Sequence, residues 1–230
     1  MKRTVLITGG SGGIGRAAVD LFLKQGYEVI NVDITPMAKN DEKYHMCTVD
    51  LADTSALYVA LAEMPHVDVL INNATAPGFG DFLTMTEADL RQALDVNVIG
   101  HVMLAQWFAR QFNGEHGRII NVISTRAFMS EANTIPYTIS KGALASLTHG
   151  LAATLKDQRI TVNAIAPGWI HTGDEPLRKI DHAFHLSGRV GKPHDIARAM
   201  LWLADETSEF INGDVITIDG GVTKTMIYPE

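Results

Sequence analysis

The sequence predicts a doubly wound α/β domain, a parallel sheet covered by helices on both faces. Three observations carry this expectation. Strand-like and helix-like patterns alternate from Val5 to Ile218, the strand-like runs are Val/Ile-rich and almost continuously apolar, and a glycine cluster joins the first strand to the first helix.

The first strand, TVLIT (4–8), is apolar between its threonines, as a strand buried on both faces requires. It runs into GGSGGIG (9–15), five glycines in seven residues. Glycine costs roughly 0.5–1 kcal/mol per residue in regular structure, so the cluster marks a loop whose backbone must come close to something. Residues 14–25 then carry an amphipathic helical pattern, and YEVINV (27–32) a second strand that ends at Asp33, 18 residues beyond Gly15. Strand, glycine loop, helix and acid in this order suit a dinucleotide. The glycines allow the turn and the close approach of a pyrophosphate, and unpaired amides at the helix start attract its charge.

YHMCTV (44–49) reads as a third strand, with His45 and Cys47 on one face. Core packing explains that pair, because no second pair at metal-ligand spacing occurs elsewhere, so no metal is expected. Strands VDVLIN (67–72), GRIINVI (117–123), ITVNAIA (160–166) and DVITID (214–219) follow, with helical patterns over 54–63, 94–112, 135–155 and 194–204.

Over 230 residues, 46% hydrophobic and 20% charged side chains with a net charge of −7 speak against disorder and against a nucleic-acid surface. The apolar run that begins at Val5 stops at Gly9, too short for a signal-peptide core, and no stretch approaches membrane-spanning length. Cys47 is the only cysteine, so no intramolecular disulfide can form. No linker, repeat or low-complexity block divides the chain. The expectation is one cytoplasmic domain over residues 1–230.

Thr8-Gly9 through Gly13 and Gly15 has the form T-G-x-x-x-G-x-G, and NNA (72–74), DVN (95–97), Ser124, YTISK (137–141), APGWIHT (166–172) and INGDVITIDGG (211–221) follow in order. Together these motifs resemble the short-chain dehydrogenase/reductase family over nearly the whole chain. The resemblance implies a Rossmann-type seven-stranded parallel sheet of order 3-2-1-4-5-6-7 and the active-site residues Asn97, Ser124, Tyr137 and Lys141. It implies NAD(H) held by Gly9, Ser11, Gly13, Ile14, Gly15, Asp33, Asp50, Leu51, Asn73, Ala74, Pro167, Gly168, Ile170 and Thr172, with Tyr137 and Lys141. In that set Asp33 meets the adenosine ribose, Asp50 the adenine edge, Asn73 and Ala74 the adenosine side, and Ile170 and Thr172 the nicotinamide carboxamide. A substrate lid over about 172–188 and a homotetramer or homodimer are implied as well. Thr75 stands where the family usually has glycine after NNA.

Hydride transfer between an alcohol and a nicotinamide needs a group that takes or returns the hydroxyl proton near neutral pH. Lys141 lies four residues after Tyr137, on the same helix face. At about 4 Å and an effective dielectric near 20, one ammonium is worth roughly 4 kcal/mol, enough to draw a phenol from about 10 toward 7 before desolvation opposes it. Ser124 ends its strand, where it can bond the substrate oxygen or merely cap the next segment. Family likeness gives Asn97 a water in a proton relay; the plainer reading is a bond to a nearby backbone group. Arg126 and His171 are candidate substrate contacts, Arg126 either holding a carboxylate or pairing with Glu131. The lid carries Asp174, Glu175, Arg178, Lys179, Asp181, His182 and His185, as a solvated face or a charged substrate pocket.

The function expected is an NAD(H)-dependent oxidoreductase interconverting an alcohol and a ketone or aldehyde on a small or medium-sized substrate. NAD(H) is preferred because Asp33 would repel a 2′-phosphate. The alternatives are a catalytically inactive dinucleotide-binding sensor or scaffold of the same fold, and a sugar-nucleotide epimerase or dehydratase, which the short carboxyl-terminal portion disfavours.

Overall fold

A computed structural model describes residues 3–226. Seven strands form one parallel sheet: β1 (Thr4–Thr8), β2 (Glu28–Asp33), β3 (Tyr44–Thr48), β4 (Val69–Asn72), β5 (Gly117–Val122), β6 (Ile160–Pro167) and β7 (Val215–Ile218). Their order is β3-β2-β1-β4-β5-β6-β7, as the motifs imply. Helices connect them: α1 (Gly13–Lys24), α2 (Thr54–Ala62), α3 (Glu87–Leu94), α4 (His101–Gln111), α5 (Ile135–Thr154), α6 (Lys179–Ala183) and α7 (Pro193–Ala204).

Alternate residues of a strand point to opposite faces, and β1 shows the consequence. Val5 and Ile7 join one core cluster with Ala18, Val19 and Phe22 of α1 and Met200 and Leu203 of α7. Leu6 joins the other, with Leu57 and Leu61 of α2, Leu104 and Phe108 of α4, and Leu155 beyond α5. All five residues of β1 and all of β5 are buried, which explains why these strands carry no polar/apolar alternation.

Two expectations need correction. The helix expected to start at Leu94 starts at Glu87, where Thr86 and Asp89 form a capping box. Its first eight residues bury only Ala93, so they show no apolar stripe. Between α3 and α4 the helix widens into a π-helical segment, Asp95–Gly100. His45 is exposed on the edge strand β3 rather than in the core, while Cys47 packs against the second cluster. Among the described residues no group of three or more His, Cys, Asp or Glu side chains is placed to hold a metal ion, and no helix is long and apolar enough to cross a membrane.

Candidate active site

A cleft of about 800 Å³ opens at the carboxyl ends of the strands, where the chain order reverses between β1 and β4. This is where open parallel sheets bind ligands, and the volume suits an organic cofactor. One wall is glycine by necessity. Gly9 adopts φ +69°, and a Cβ there would lie 2.8 Å from the Cα of Ala74. Gly13, at φ +48°, faces the Thr172 methyl. Gly15 does not line the cleft: its Cβ would fall 2.0 Å from the Gly9 carbonyl oxygen, so its bareness lets α1 pack on the loop. A backbone cradle that side chains would fill, opening onto a helix amino terminus, fits a pyrophosphate.

The polar groups around the cradle are fixed by one another. The Thr8 hydroxyl accepts the amides of Asn73 and Ala74, each at 2.9 Å, tying the NNA segment to β1. Asp33 accepts the Ser11 amide at 2.9 Å through one oxygen and the Thr35 amide at 2.9 Å through the other. Ser11, Ile14, Asp50, Leu51, Asn73, Ala74, Pro167, Gly168, Ile170 and Thr172 all line the same cleft. Thr75 lines it too, without the positive φ that would have required glycine.

Ser124, Tyr137 and Lys141 line this cleft as well. Ser124 leaves β5 in extended conformation, and its hydroxyl accepts the Arg126 amide at 3.2 Å and bonds the Tyr137 phenol. Lys141 is fully buried; its ammonium donates to the Val122 carbonyl at 2.9 Å and stands 5.5 Å from the centre of the Tyr137 ring. Burial draws the Lys141 ammonium down to about 8. The phenol of Tyr137 is pushed up, not toward neutrality: burial outweighs the Ser124 hydroxyl and the Arg126 guanidinium, which act to lower it. The attraction expected from Lys141 is not among the influences on the phenol, because its ammonium is turned to a backbone oxygen.

Asn97 lies in the π-helical segment, fully buried and outside the cleft. Its carboxamide accepts the Ala76 amide at 2.7 Å and donates to the Ala76 carbonyl at 3.2 Å and to Ser140 at 3.1 Å, clamping the loop after β4 against α5. The sequence reading missed its neighbour His101. The His101 amide bonds the Val98 carbonyl, while its ring Nδ1 lies 3.0 Å from the Asn97 carbonyl oxygen. Burial and the Lys141 charge draw this imidazole down to about 3, so it is neutral. A carbonyl only accepts, so Nδ1 carries the hydrogen, and Nε2 faces the Thr8 hydroxyl 3.5 Å away, whose proton it shares with the Ile71 carbonyl at 3.4 Å. Spacing offered one signal, since His101 follows Asn97 by four residues on a helix.

The family described as Enoyl-(Acyl carrier protein) reductase matches residues 9–223. An oxidoreductase of Thermotoga maritima is 35% identical, over 99% of this chain and 98% of its own. The chain belongs to the short-chain dehydrogenase/reductase family. Another relative in this family, the (2S)-[(R)-hydroxy(phenyl)methyl]succinyl-CoA dehydrogenase subunit BbsD of Thauera aromatica, is 34% identical over 96% of each chain. Among solved structures, 4-hydroxyisoleucine dehydrogenase complexed with NADH superposes with a TM-score of 0.91 at 27% identity, covering 98% of this chain and 100% of that one.

In this short-chain dehydrogenase/reductase the remaining predicted residues separate. His171 sits outside the cleft, in a hollow with Trp169, Glu175 and Asp181, and its amide bonds the Gly191 carbonyl at 3.0 Å. In the 172–188 segment Asp174, Glu175, Arg178 and Lys179 are exposed, as a solvated face would have them, and Arg178 pairs with Asp181 at 2.7 Å. Asp181 and His185 are the exceptions, both buried, His185 beside Trp169 and Phe184. Arg126 pairs with Glu131, and its guanidinium lies over the rings of Phe79 and Tyr137.

Proposed function

We propose that this chain is an NAD(H)-dependent oxidoreductase that interconverts an alcohol and a ketone or aldehyde, with Tyr137 as the acid/base. The observation that carries the reading is that Ser124, Tyr137 and Lys141 line the same cleft as the glycine cradle and Asp33. The Gly12 and Gly13 amides would hold the pyrophosphate, since those of Gly9, Gly10 and Ser11 are spent on Val32, Asn31 and Asp33, and Asp33 would hold the adenosine ribose, where a 2′-phosphate would meet its negative charge. When bound, the nicotinamide supplies the hydride acceptor or donor.

The chain's own residues do the rest. The Ser124 hydroxyl, its lone pair engaged by the Arg126 amide, donates to the substrate oxygen. Tyr137, held protonated by burial, stands ready to give a proton to a developing alkoxide in the reductive direction. The buried Lys141 would hold the nicotinamide ribose hydroxyls beside the phenol, its ammonium 5.5 Å from the centre of the Tyr137 ring. Asn97 and His101 keep the loop after β4 and the π-helical segment in place around them.

We further propose that the protein is a single cytoplasmic domain that acts as a homotetramer or homodimer, for which half-exposed Ile99 and Ile139 provide apolar surface beside Asn97 and on α5. Tyr137→Phe tests the central assignment. NADH-linked turnover of the unaltered chain should disappear in the variant, while NADH binding, followed by its fluorescence, persists. A variant that keeps most of its turnover would overturn the acid/base role.

A further inference from the structure

Arg126 occupies a position that its ion pair alone does not explain. Its guanidinium carbon lies 5.4 Å from the centre of the Phe79 ring and 5.9 Å from that of Tyr137, and the two rings stack at 5.3 Å. The cation is therefore packed against the residue assigned as acid/base. Its backbone is equally close to the chemistry, because the Arg126 amide bonds the Ser124 hydroxyl. Its partner is of the opposite character. The Glu131 side chain is 71% exposed, against 28% for Arg126. Exposed ion pairs contribute little, because water and salt solvate the separated charges nearly as well. The same guanidinium, 28% exposed and packed on two rings, would interact more strongly with an anion that displaced water from it, and its planar fork matches a carboxylate.

We propose that Arg126 is a substrate-binding residue that holds a carboxylate or similar anion of the substrate, and that Glu131 occupies it until that anion displaces it. The inference rests on the dehydrogenase reading and narrows it to a substrate class: hydroxy acids and the corresponding oxo acids. The carbinol oxygen lies at Ser124 and Tyr137, and a short carbon chain carries the anion to the guanidinium. The Phe79 and Tyr137 rings, stacked on each other, form one side of that path. The exchange makes and breaks no covalent bond. One carboxylate replaces another on the guanidinium, and Glu131 returns to solvent.

The exchange predicts opposite effects for the two partners, which a purely structural ion pair does not. Propanoate and 1-propanol serve as inert probes, titrated into the chain with saturating NADH and followed by the fluorescence of the bound dinucleotide. Arg126→Met should weaken propanoate binding about ten- to a hundredfold and leave 1-propanol unchanged. Glu131→Gln should tighten propanoate about two- to fivefold, because the competitor is gone. Arg126→Lys, which keeps the charge and loses the fork, should fall between. Turnover of 3-hydroxybutanoate, 4-hydroxypentanoate and 5-hydroxyhexanoate beside their methyl esters gives the second readout, with a preference for at least one acid that Arg126→Met abolishes. Equal losses for acid and ester, unchanged propanoate binding in Arg126→Met, or weaker propanoate binding in Glu131→Gln would overturn the assignment. None of these results touches the dehydrogenase reading, which fails separately if the unaltered chain binds no NADH.

Discussion

Replacing Lys141 by methionine should stabilise the folded chain at neutral pH while ending its turnover. Lys141 is 2% exposed, and burial holds its ammonium at about 8, against 10.5 in an unfolded chain. The unfolded state therefore binds this proton more tightly than the folded one. At 1.36 kcal/mol per pKa unit, the drop of about 2.5 units costs the folded protein about 3 kcal/mol at pH 7. Because the folded pKa is the lower, the cost is nearly complete below pH 8, shrinks between 8 and 10.5, and vanishes above. Methionine fills much the same volume without a charge. Against its gain stands the hydrogen bond from Nζ to the Val122 carbonyl, 2.9 Å long and worth about 1 kcal/mol. The balance is about 2 kcal/mol in favour of the variant at pH 7, and close to zero at pH 9.5, where about 1 kcal/mol of the cost remains. Urea unfolding followed by tryptophan fluorescence, at equal protein concentrations and without dinucleotide, measures it. A variant no more stable than the parent at pH 7, or an advantage that does not shrink by pH 9.5, would refute the reasoning.

Two further outcomes follow from neighbouring groups. Asp33→Ser removes the charge at the ribose end and should narrow the preference for NAD over NADP in kcat/KM by roughly tenfold to a hundredfold. It should also slow the NAD reaction, since the Ser11 and Thr35 amides lose their acceptor; an unaltered preference in steady-state kinetics would remove Asp33 from cofactor selection. His101, held neutral down to about 3, gives the folded state a stability that is complete above pH 6.5 and lost as pH falls, because only the unfolded chain takes up the proton. Between pH 6 and 4 the parent should lose stability faster than His101→Gln by a slope approaching about 1.4 kcal/mol per pH unit, and parallel urea-unfolding curves would exclude this.

The features visible in the sequence were those set by local rules. Strands buried on both faces announce themselves by unbroken Val/Ile runs, so β1 and β5 were placed within a residue or two. Gly9 and Gly13 were legible because only glycine suits their backbone, and Tyr137 and Lys141 because four residues make one helical turn. What escaped depends on distant parts of the chain. Residues 87–94 hide as a helix because their one buried side chain, Ala93, gives no period to detect. The clamp of Asn97 on Ala76 joins groups 21 residues apart, and the direction of the Tyr137 shift depends on how deeply the fold buries it. Arg126 was noticed by position, but the Phe79 ring beneath it comes from a loop 47 residues earlier, and spacing cannot report that.

The π-helical turn at Asp95–Gly100 also constrains how the gene can change in length. An α-helix advances about 100° per residue, and a π-helical stretch offsets the faces before and after it by about one residue's rotation. α3 and α4 depend on that offset: Ala93 before it is buried, Leu104 and Phe108 after it enter the core, and Asn97 within it reaches Ala76. Losing one codon here would let the helix rewind as plain α and swing either the core leucine and phenylalanine or the asparagine out of place. The turn at residues 113–116, between α4 and β5, carries no such phase, and a lost codon there would disturb the contacts of His116 with Arg3 and Glu209 but leave both flanking faces in register.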